Sequence, residues 1–210
     1  LSVDPPDGLE FNTVGILAER ITEGADYKGV RVKFFGLLGK TKIPMQLDIG
    51  FGDVVTPKPE LHQYPTLLDQ ESPALKMYPV ETVVAEKFEA MVKLGELNSR
   101  MKDFYDIWML SRSFPFSDAM LMEAIAKTFE ARGTELDPNP LALTKEFSKL
   151  PAKQQQWQAF LRRLGEDYRD LTFQAVTGEI SDFLRPLIQQ LVDQKPFASH
   201  WQFGRGWTDG

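Results

Sequence analysis

Apolar and polar side chains alternate strictly in residues 43–51, which read Ile43-Pro44-Met45-Gln46-Leu47-Asp48-Ile49-Gly50-Phe51. A period of two is typical of a β-strand with one buried face. Residues 29–38 also read as a strand, and the short polar turn Gly39-Lys40-Thr41 separates the two segments. Together they predict an antiparallel hairpin.

Asp48 is the one carboxylate on the second strand of this hairpin, and the alternation points it away from the apolar face, between Gln46 and Gly50. An exposed, solvated aspartate is the ordinary interpretation. The functional interpretation is a metal ligand held rigidly by a strand, beside a glycine that leaves room for substrate.

Basic residues crowd the same hairpin, with no acidic residue between the first and the last of them: Lys28, Arg31, Lys33, Lys40 and Lys42. They predict either a local patch that contacts the phosphates of an RNA acceptor or an edge strand protected by solvated lysines.

A helix is predicted at residues 78–88, Tyr-Pro-Val-Glu-Thr-Val-Val-Ala-Glu-Lys-Phe, because Pro79 suits the first helical position. Val80, Val84 and Phe88 form an apolar stripe, and Lys87 falls within the same arc. Lys87 either extends its ammonium group to solvent while its stem is buried or enters a cleft where a compact cation holds phosphate oxygens.

The next helix is predicted around residues 100–108, Arg-Met-Lys-Asp-Phe-Tyr-Asp-Ile-Trp, and its apolar residues cover most of the cylinder. Asp103 and Asp106 are three residues apart and so lie on one side of it. Buried carboxylates need a cationic or hydrogen-bonding partner, which Lys102, Arg100 or Lys87 can supply. A structural ion pair between neighbouring helices and a functional site both fit this pattern.

In this order, the strand with a lone Asp, YPVETVVAEKFEA and NSRMKDFYDIW resemble the AbiEii/AbiGii abortive-infection toxin family, the nucleotidyltransferase-like half of a bacterial toxin–antitoxin pair. The resemblance covers about residues 1–110 and implies a polymerase-β-like core followed by helices. It assigns Asp48 to a Mg²⁺ or Mn²⁺ site, Lys87 with Lys102 to the nucleoside triphosphate, and Asp103 to orienting Lys87 or the nucleotide. The family's fourth motif falls on Asp103 together with Asp106. Of these two, Asp106 would brace the helix.

One motif of the family, a Gly-Gly or Gly-Ser turn followed by a strand with an Asp-x-Asp pair, has no counterpart in the chain. Residues 1–6 read as what would follow that strand. We therefore expect a fragment that is inactive alone, because two metals about 4 Å apart need several carboxylates. A catalytically silent binding or regulatory module is the alternative, and phosphoryl transfer on the same scaffold is a third possibility.

The composition of the chain limits its binding surfaces, its metal ligands and its location. The net charge of −6 argues against a broad nucleic-acid-coating surface, and the lack of cysteine excludes disulfides and thiolate metal sites. No run of about 18 apolar residues occurs, so we expect a cytoplasmic protein that does not cross a membrane. The expected partners are a nucleoside triphosphate, an RNA acceptor such as a tRNA 3′ end, and a cognate antitoxin protein.

The expected fold class is α+β: a short antiparallel sheet with helices, followed by an α-helical bundle. The domain boundaries are placed at residues 1–113 for the nucleotidyltransferase-like core, 114–194 for the helical domain and 195–210 for an irregular aromatic tail. Helical segments are predicted at 117–131, around Trp157 to Leu164, and from Ile180 to Leu191, where Pro186 would kink or interrupt the helix.

Overall fold

Residues 8–21, 29–67, 69, 71–194 and 199–209 are described by a computed structural model of the chain. By their contacts they divide into two units, Leu1–Asp53 and Val54–Gly210. The sequence instead predicts a boundary after residue 113. Helices on both sides of residue 113 share one hydrophobic core, which is why the division falls earlier. Residues 1–6, Lys28 and Phe197, on which sequence-based expectations rest, lie outside the described residues.

The first unit is an antiparallel sheet in which β3 (Gly29–Leu38) pairs along its whole length with β4 (Thr41–Gly50). The other edge of β3 pairs with β1 (Leu9–Phe11) and β2 (Leu17–Ile21). Gly39, with φ of 59°, provides the left-handed residue that the tight turn between β3 and β4 needs. The predicted hairpin is confirmed, and Asp48 lies opposite Arg31.

The apolar face of this sheet is less buried than the alternation predicts. Leu47 and Ile49 are 55% and 43% exposed, and Ile43 and Met45 are half-buried. A sheet buries a face only where a second layer covers it. The described residues of this unit contain strands and turns and no helix, so none of them forms a second layer over this face.

The second unit is mainly helical. Its described residues form the helices α1 (Val80–Leu94), α2 (Met101–Ser113), α3 (Asp118–Arg132), α4 (Lys145–Lys149), α5 (Pro151–Leu164) and α6 (Phe173–Asp193). The strands β5 (Glu60–Gln63) and β6 (Ala74–Met77) form a hairpin before α1. Helix α1 packs against α3, and α2 packs against α6. The α+β fold class is confirmed.

Helix α6 runs without interruption through Pro186, against the expectation of a kink or a break. Proline removes one backbone hydrogen bond from a helix interior. On both sides of it, however, Phe183, Leu184 and Leu187 are fully buried, and this packing stabilises the continuous helix.

The predicted irregular tail is wrong for the residues that the structure describes. Strands β8 (Ser199–Gln202) and β9 (Gly206–Asp209) form a hairpin that adds to β7 (Phe116–Ser117) in the order β7–β8–β9. Trp201 lies opposite Trp207 across the hairpin and packs against Phe183 of α6. A four-residue strand is too short for its alternation to be recognised in the sequence, and its burial depends on a distant helix.

Within the described part of the chain, no helix combines the length and the hydrophobicity that crossing a membrane requires.

Candidate functional site

Lys87 lies on the face of α1 that turns towards α2, beside the fully buried Val84 and Phe88. Its Nζ is 2.8 Å from Oδ1 of Asp103 and 2.8 Å from Oδ2 of Asp106. The lysine side chain is 20% exposed. Lys87 therefore makes a two-carboxylate ion pair between neighbouring helices and does not extend freely into solvent.

The helical period of α2 explains why both carboxylates reach the same ammonium group. Asp103 and Asp106 are three residues apart and so share one side of the helix, and the fully buried Phe104 and Ile107 anchor the helix in the core. Lys102, which is 72% exposed, adds a contact of 2.6 Å to Oδ2 of Asp106. Two lysines and two aspartates balance, so this cluster has a formal charge of zero. The predicted cationic partners are confirmed as Lys87 and Lys102.

The protonation of Lys87 results from two opposed effects. Burial lowers the pKa of the ammonium group, and the hydrogen bonds and charges of Asp103 and Asp106 raise it. The balance raises the pKa of Lys87 above its ordinary value. Lys87 is therefore a permanent cation at neutral pH and is suited to hold an anionic group, not to act as a general base.

Tyr105, also on α2, belongs to this region but was not predicted from the sequence as a site residue. Burial, followed by the hydrogen bond and charge of Tyr168 and the charge of Asp106, raises the pKa of Tyr105 to about 12. Its ring packs edge-on against Tyr168, with the ring centres 5.6 Å apart. The Tyr105 hydroxyl therefore keeps its proton to a higher pH than an ordinary tyrosine does.

A cleft of about 530 Å³, named here the α2–α5 cleft, opens next to the cluster, and Asp103 belongs to both. Its lining combines the start of α2 with one face of α5: Ser99, Arg100, Met101, Lys102, Asp103, Gln156, Ala159, Phe160 and Arg163. The residues from α5 were not predicted from the sequence. No local spacing links them to residues more than fifty positions earlier, so only the packing of the helices brings them together.

Asp48 lies in the other unit, on β4. Arg31 binds both of its carboxylate oxygens, with Nε and Nη2 each 2.9 Å away, and Nε2 of Gln46 donates a third hydrogen bond at 3.1 Å. The Arg31 hydrogen bond holds the pKa of Asp48 below its ordinary value. The side chain is 38% exposed, so this aspartate is both solvated and paired.

Two other basic residues of the hairpin also have partners. Lys33 contacts Glu19 at 2.6 Å, and the ammonium group of Lys42 lies 4.3 Å from the centre of the Phe35 ring. The hairpin is therefore less available to phosphates than its basic composition predicts.

The described residues do not form a divalent metal site by themselves. Among them, no group of three or more His, Cys, Asp or Glu side chains is close enough to hold a metal ion. Two-metal nucleotidyl transfer needs several carboxylates. At Asp48 both oxygens already accept hydrogen bonds from Arg31.

Comparison with known proteins agrees with the resemblance of the motifs. The family model described as nucleotidyl transferase AbiEii toxin, type IV toxin–antitoxin system, matches residues 7–185. No curated protein and no solved structure gives a significant match. The match covers most of the chain, including both helices of the lysine–aspartate cluster and the cleft beside it. The chain belongs to the AbiEii family of nucleotidyl transferase toxins of type IV toxin–antitoxin systems.

Proposed function

We propose that the chain is part of a metal-dependent nucleotidyltransferase that moves a nucleoside monophosphate from a nucleoside triphosphate to a hydroxyl group of an acceptor, such as a tRNA 3′ end. The acceptor oxygen forms a bond to the α-phosphorus, the bond to the bridging oxygen breaks, pyrophosphate leaves and the hydroxyl proton is released. The ion-paired cluster of Lys87, Asp103 and Asp106, beside an open cleft in a chain of this family, is the observation that carries the proposal.

We propose distinct roles within that cluster. Asp103 and Asp106 hold the Lys87 ammonium group in one position, because each carboxylate lies 2.8 Å from it. The positive charge of Lys87 is already balanced within the neutral cluster. To bind the triphosphate, Lys87 must give up its contact with one carboxylate and contact phosphate oxygens instead. Lys102 is more exposed, and among the described residues its ion-pair partner is Asp106 alone. It can therefore bind incoming phosphates with a smaller loss of ion-pair energy than Lys87.

Asp48 is the proposed ligand for Mg²⁺ or Mn²⁺. Because the described residues do not form a metal site, we propose that further carboxylates come from outside them, and that the 210-residue chain alone is inactive. The proposed setting is the cytoplasm, where nucleoside triphosphates and RNA are available, and a cognate antitoxin protein is the proposed partner.

The test compares the 210-residue chain with the complete gene product. Each is incubated with Mg²⁺, labelled nucleoside triphosphates and total RNA, and transfer is measured with and without a chelator. We expect chelator-sensitive transfer by the complete protein only. Transfer by the 210-residue chain would contradict the proposed external carboxylates.

A matched pair of variants in the complete protein tests Asp48. Asp48→Asn is expected to abolish transfer with little change in melting temperature, because the side chain is exposed. Glu19→Gln makes the same chemical change on the same face of the sheet, where Glu19 pairs with Lys33, and is expected to keep transfer. A variant Asp48→Asn that unfolds or keeps full transfer would show that Asp48 is structural.

The second candidate is a catalytically silent nucleotide-binding or regulatory module. It is favoured by the neutral lysine–aspartate cluster and by the lack of a carboxylate cluster among the described residues. Binding of nucleoside triphosphate by the complete protein without any transfer to RNA would select this function.

A further inference from the structure

Uncompensated positive charge marks the α2–α5 cleft. Arg100 and Arg163 line it, both are exposed, and neither has a carboxylate partner among the residues that the structure describes. The other charged lining residues, Lys102 and Asp103, belong to the neutral cluster. Two guanidinium groups therefore leave the cleft with a surplus of two positive charges in a chain whose net charge is −6. Such a cleft attracts anions, and guanidinium groups are suited to phosphate.

A residue of the same wall, Gln156, carries an unpaired amide oxygen. Oε1 of Gln156 is buried and has no hydrogen-bond partner within the described residues. Because buried polar side-chain atoms are nearly always paired, this oxygen lacks a partner that a rotation of the Gln156 side chain towards a ligand in the cleft would supply. A glutamine amide offers an acceptor and two donors, which is the arrangement that pairs with the edge of a nucleobase.

Apart from Ser99, the remaining lining is apolar. Phe160 is 7% exposed, and together with Ala159 and Met101 it forms the apolar part of the lining. Ligand pockets for small molecules have volumes of roughly 300–1,000 Å³ and combine an apolar lining with a few polar groups. The α2–α5 cleft, at about 530 Å³, falls within this size range, but six of its nine lining residues are polar or charged, which suits an anionic ligand.

We propose that the α2–α5 cleft binds a nucleoside phosphate, with Arg100 and Arg163 on its phosphate groups and the amide of Gln156 against the edge of its base. This inference rests on the proposed function, because Asp103 is shared by the cleft and the Lys87 cluster and brings the bound nucleotide beside that cluster. The nucleoside phosphate is either the donor triphosphate or the terminal nucleotide of a single-stranded RNA acceptor, and both share this chemistry.

The test measures equilibrium binding to the 210-residue chain, without any need for transfer. One arm uses a short, fluorescently labelled single-stranded RNA with a free 3′ hydroxyl, and the other uses a labelled non-hydrolysable nucleoside triphosphate. Arg163→Gln is expected to weaken binding by about ten- to hundredfold, as the loss of a charge-assisted contact does. It also makes the affinity for RNA less dependent on salt.

Arg162→Gln is the matched control for the charge. Arg162 is the neighbouring residue of α5, is also exposed, bonds to the backbone oxygen of Gln158 at 3.3 Å and does not line the cleft. It is expected to change affinity less than twofold. Arg100→Gln, on the other wall, is expected to reproduce the loss seen with Arg163→Gln. Gln156→Leu is expected to reduce the preference between bases, whereas Gln158→Leu, in the same helix, is not.

The two arms assign the source. A loss confined to RNA assigns the cleft to the acceptor, a loss confined to the triphosphate assigns it to the donor, and either outcome supports a nucleoside phosphate site. Equal losses for Arg163→Gln and Arg162→Gln, unchanged binding in both cleft arginine variants, or no binding by the unaltered chain would overturn the inference. If the cleft variants give these negative results but the complete protein still transfers nucleotides, the cleft inference is wrong and the proposed function stands. If the cleft binds specifically but the complete protein transfers nothing, the cleft inference stands and the proposed function is wrong.

Discussion

At the scale of single residues, the position of Lys87 is decided by two carboxylates. Each lies 2.8 Å from the ammonium group, and Asp103 is only 14% exposed. Burial alone would lower the pKa of the Lys87 ammonium group, and the two carboxylates more than offset that effect, so the pKa of Lys87 is raised.

Lys87→Met is therefore expected to lower the free energy of unfolding by about 1–3 kcal/mol. The substitution leaves Asp103 without its ion-pair partner, whereas Asp106 keeps its ion pair with Lys102. Urea unfolding checks this. Lys127→Met is the matched control: Lys127 forms an exposed pair with Glu123 within one helix, and its loss is expected to cost about 0.5 kcal/mol or less. Equal stability of Lys87→Met and the parent would mean that solvent already screens the cluster.

Alkaline pH tests the same region through Tyr105. Its pKa in the folded chain is about 12 and the ordinary value is 10.0, so the unfolded chain releases this proton first. The stabilisation is complete below pH 10 and is lost as the pH rises towards 12. Lys87, whose pKa is also raised, contributes in the same direction.

Urea titrations across this alkaline window measure the free energy of unfolding at each pH. Between the lowest and the highest pH of the window, this free energy is expected to fall less in Tyr105→Phe than in the parent. Tyr78→Phe, which changes a tyrosine outside this cluster, is the comparison. An identical pH slope in Tyr105→Phe and the parent would contradict the assignment.

At the scale of elements, the hairpin of β8 and β9 completes the helical core. Trp201 is 7% exposed and donates a hydrogen bond from Nε1 to the backbone oxygen of Ser111 at 2.7 Å. Trp207 makes the corresponding bond to the backbone oxygen of Phe183 at 2.8 Å. Each indole therefore ties the hairpin to a helix, one to α2 and one to α6.

Trp201→Ala is expected to destabilise the chain by about 3–5 kcal/mol, because it opens a cavity against Phe183 and leaves the Ser111 oxygen without its partner. Thermal or urea unfolding measures the loss. Phe203→Ala is the control in the same hairpin: that ring is 44% exposed and stacks under Arg112, so about 1 kcal/mol or less is expected. A small effect of Trp201→Ala would indicate a tail that is only loosely attached.

At the scale of the whole molecule, the hydrophobic core belongs to one of the two units. Every buried hydrophobic residue of the described core lies between Val84 and Trp201, within Val54–Gly210. The sheet of Leu1–Asp53 leaves Leu47 and Ile49 exposed. Burial of apolar surface is the main favourable contribution to folding, so the stability of the chain is concentrated in the second unit.

The segment Val54–Gly210 produced alone is therefore expected to unfold cooperatively, with a melting temperature close to that of the 210-residue chain. Leu1–Asp53 alone is expected to show no cooperative transition. Circular dichroism melts of the three proteins check this. A non-cooperative melt of Val54–Gly210 would mean that its core depends on the first unit.

The sequence by itself is sufficient for features that depend on near neighbours. The period of two predicts β4, residues 29–38 read as the strand that pairs with it, and Gly39 marks their turn. The helical period predicts α1 and α2 and puts Asp103 and Asp106 on one side of α2, so local patterns alone identify Lys87 and these two aspartates as candidates. In the same way, the motifs in their order indicate the family that the match over residues 7–185 shows.

Only the tertiary structure decided which residues meet across long stretches of chain. In the folded chain Lys87 is the partner of Asp103, and Asp48 pairs with Arg31. Arg163 and Gln156 line the same cleft as Arg100. The aromatic tail forms a hairpin that packs on α6. The physical reason is the same in each case. Periodicity tells which face of an element is apolar, whereas the partner of that face depends on how all the elements pack, and the sequence pattern of one segment does not contain that information.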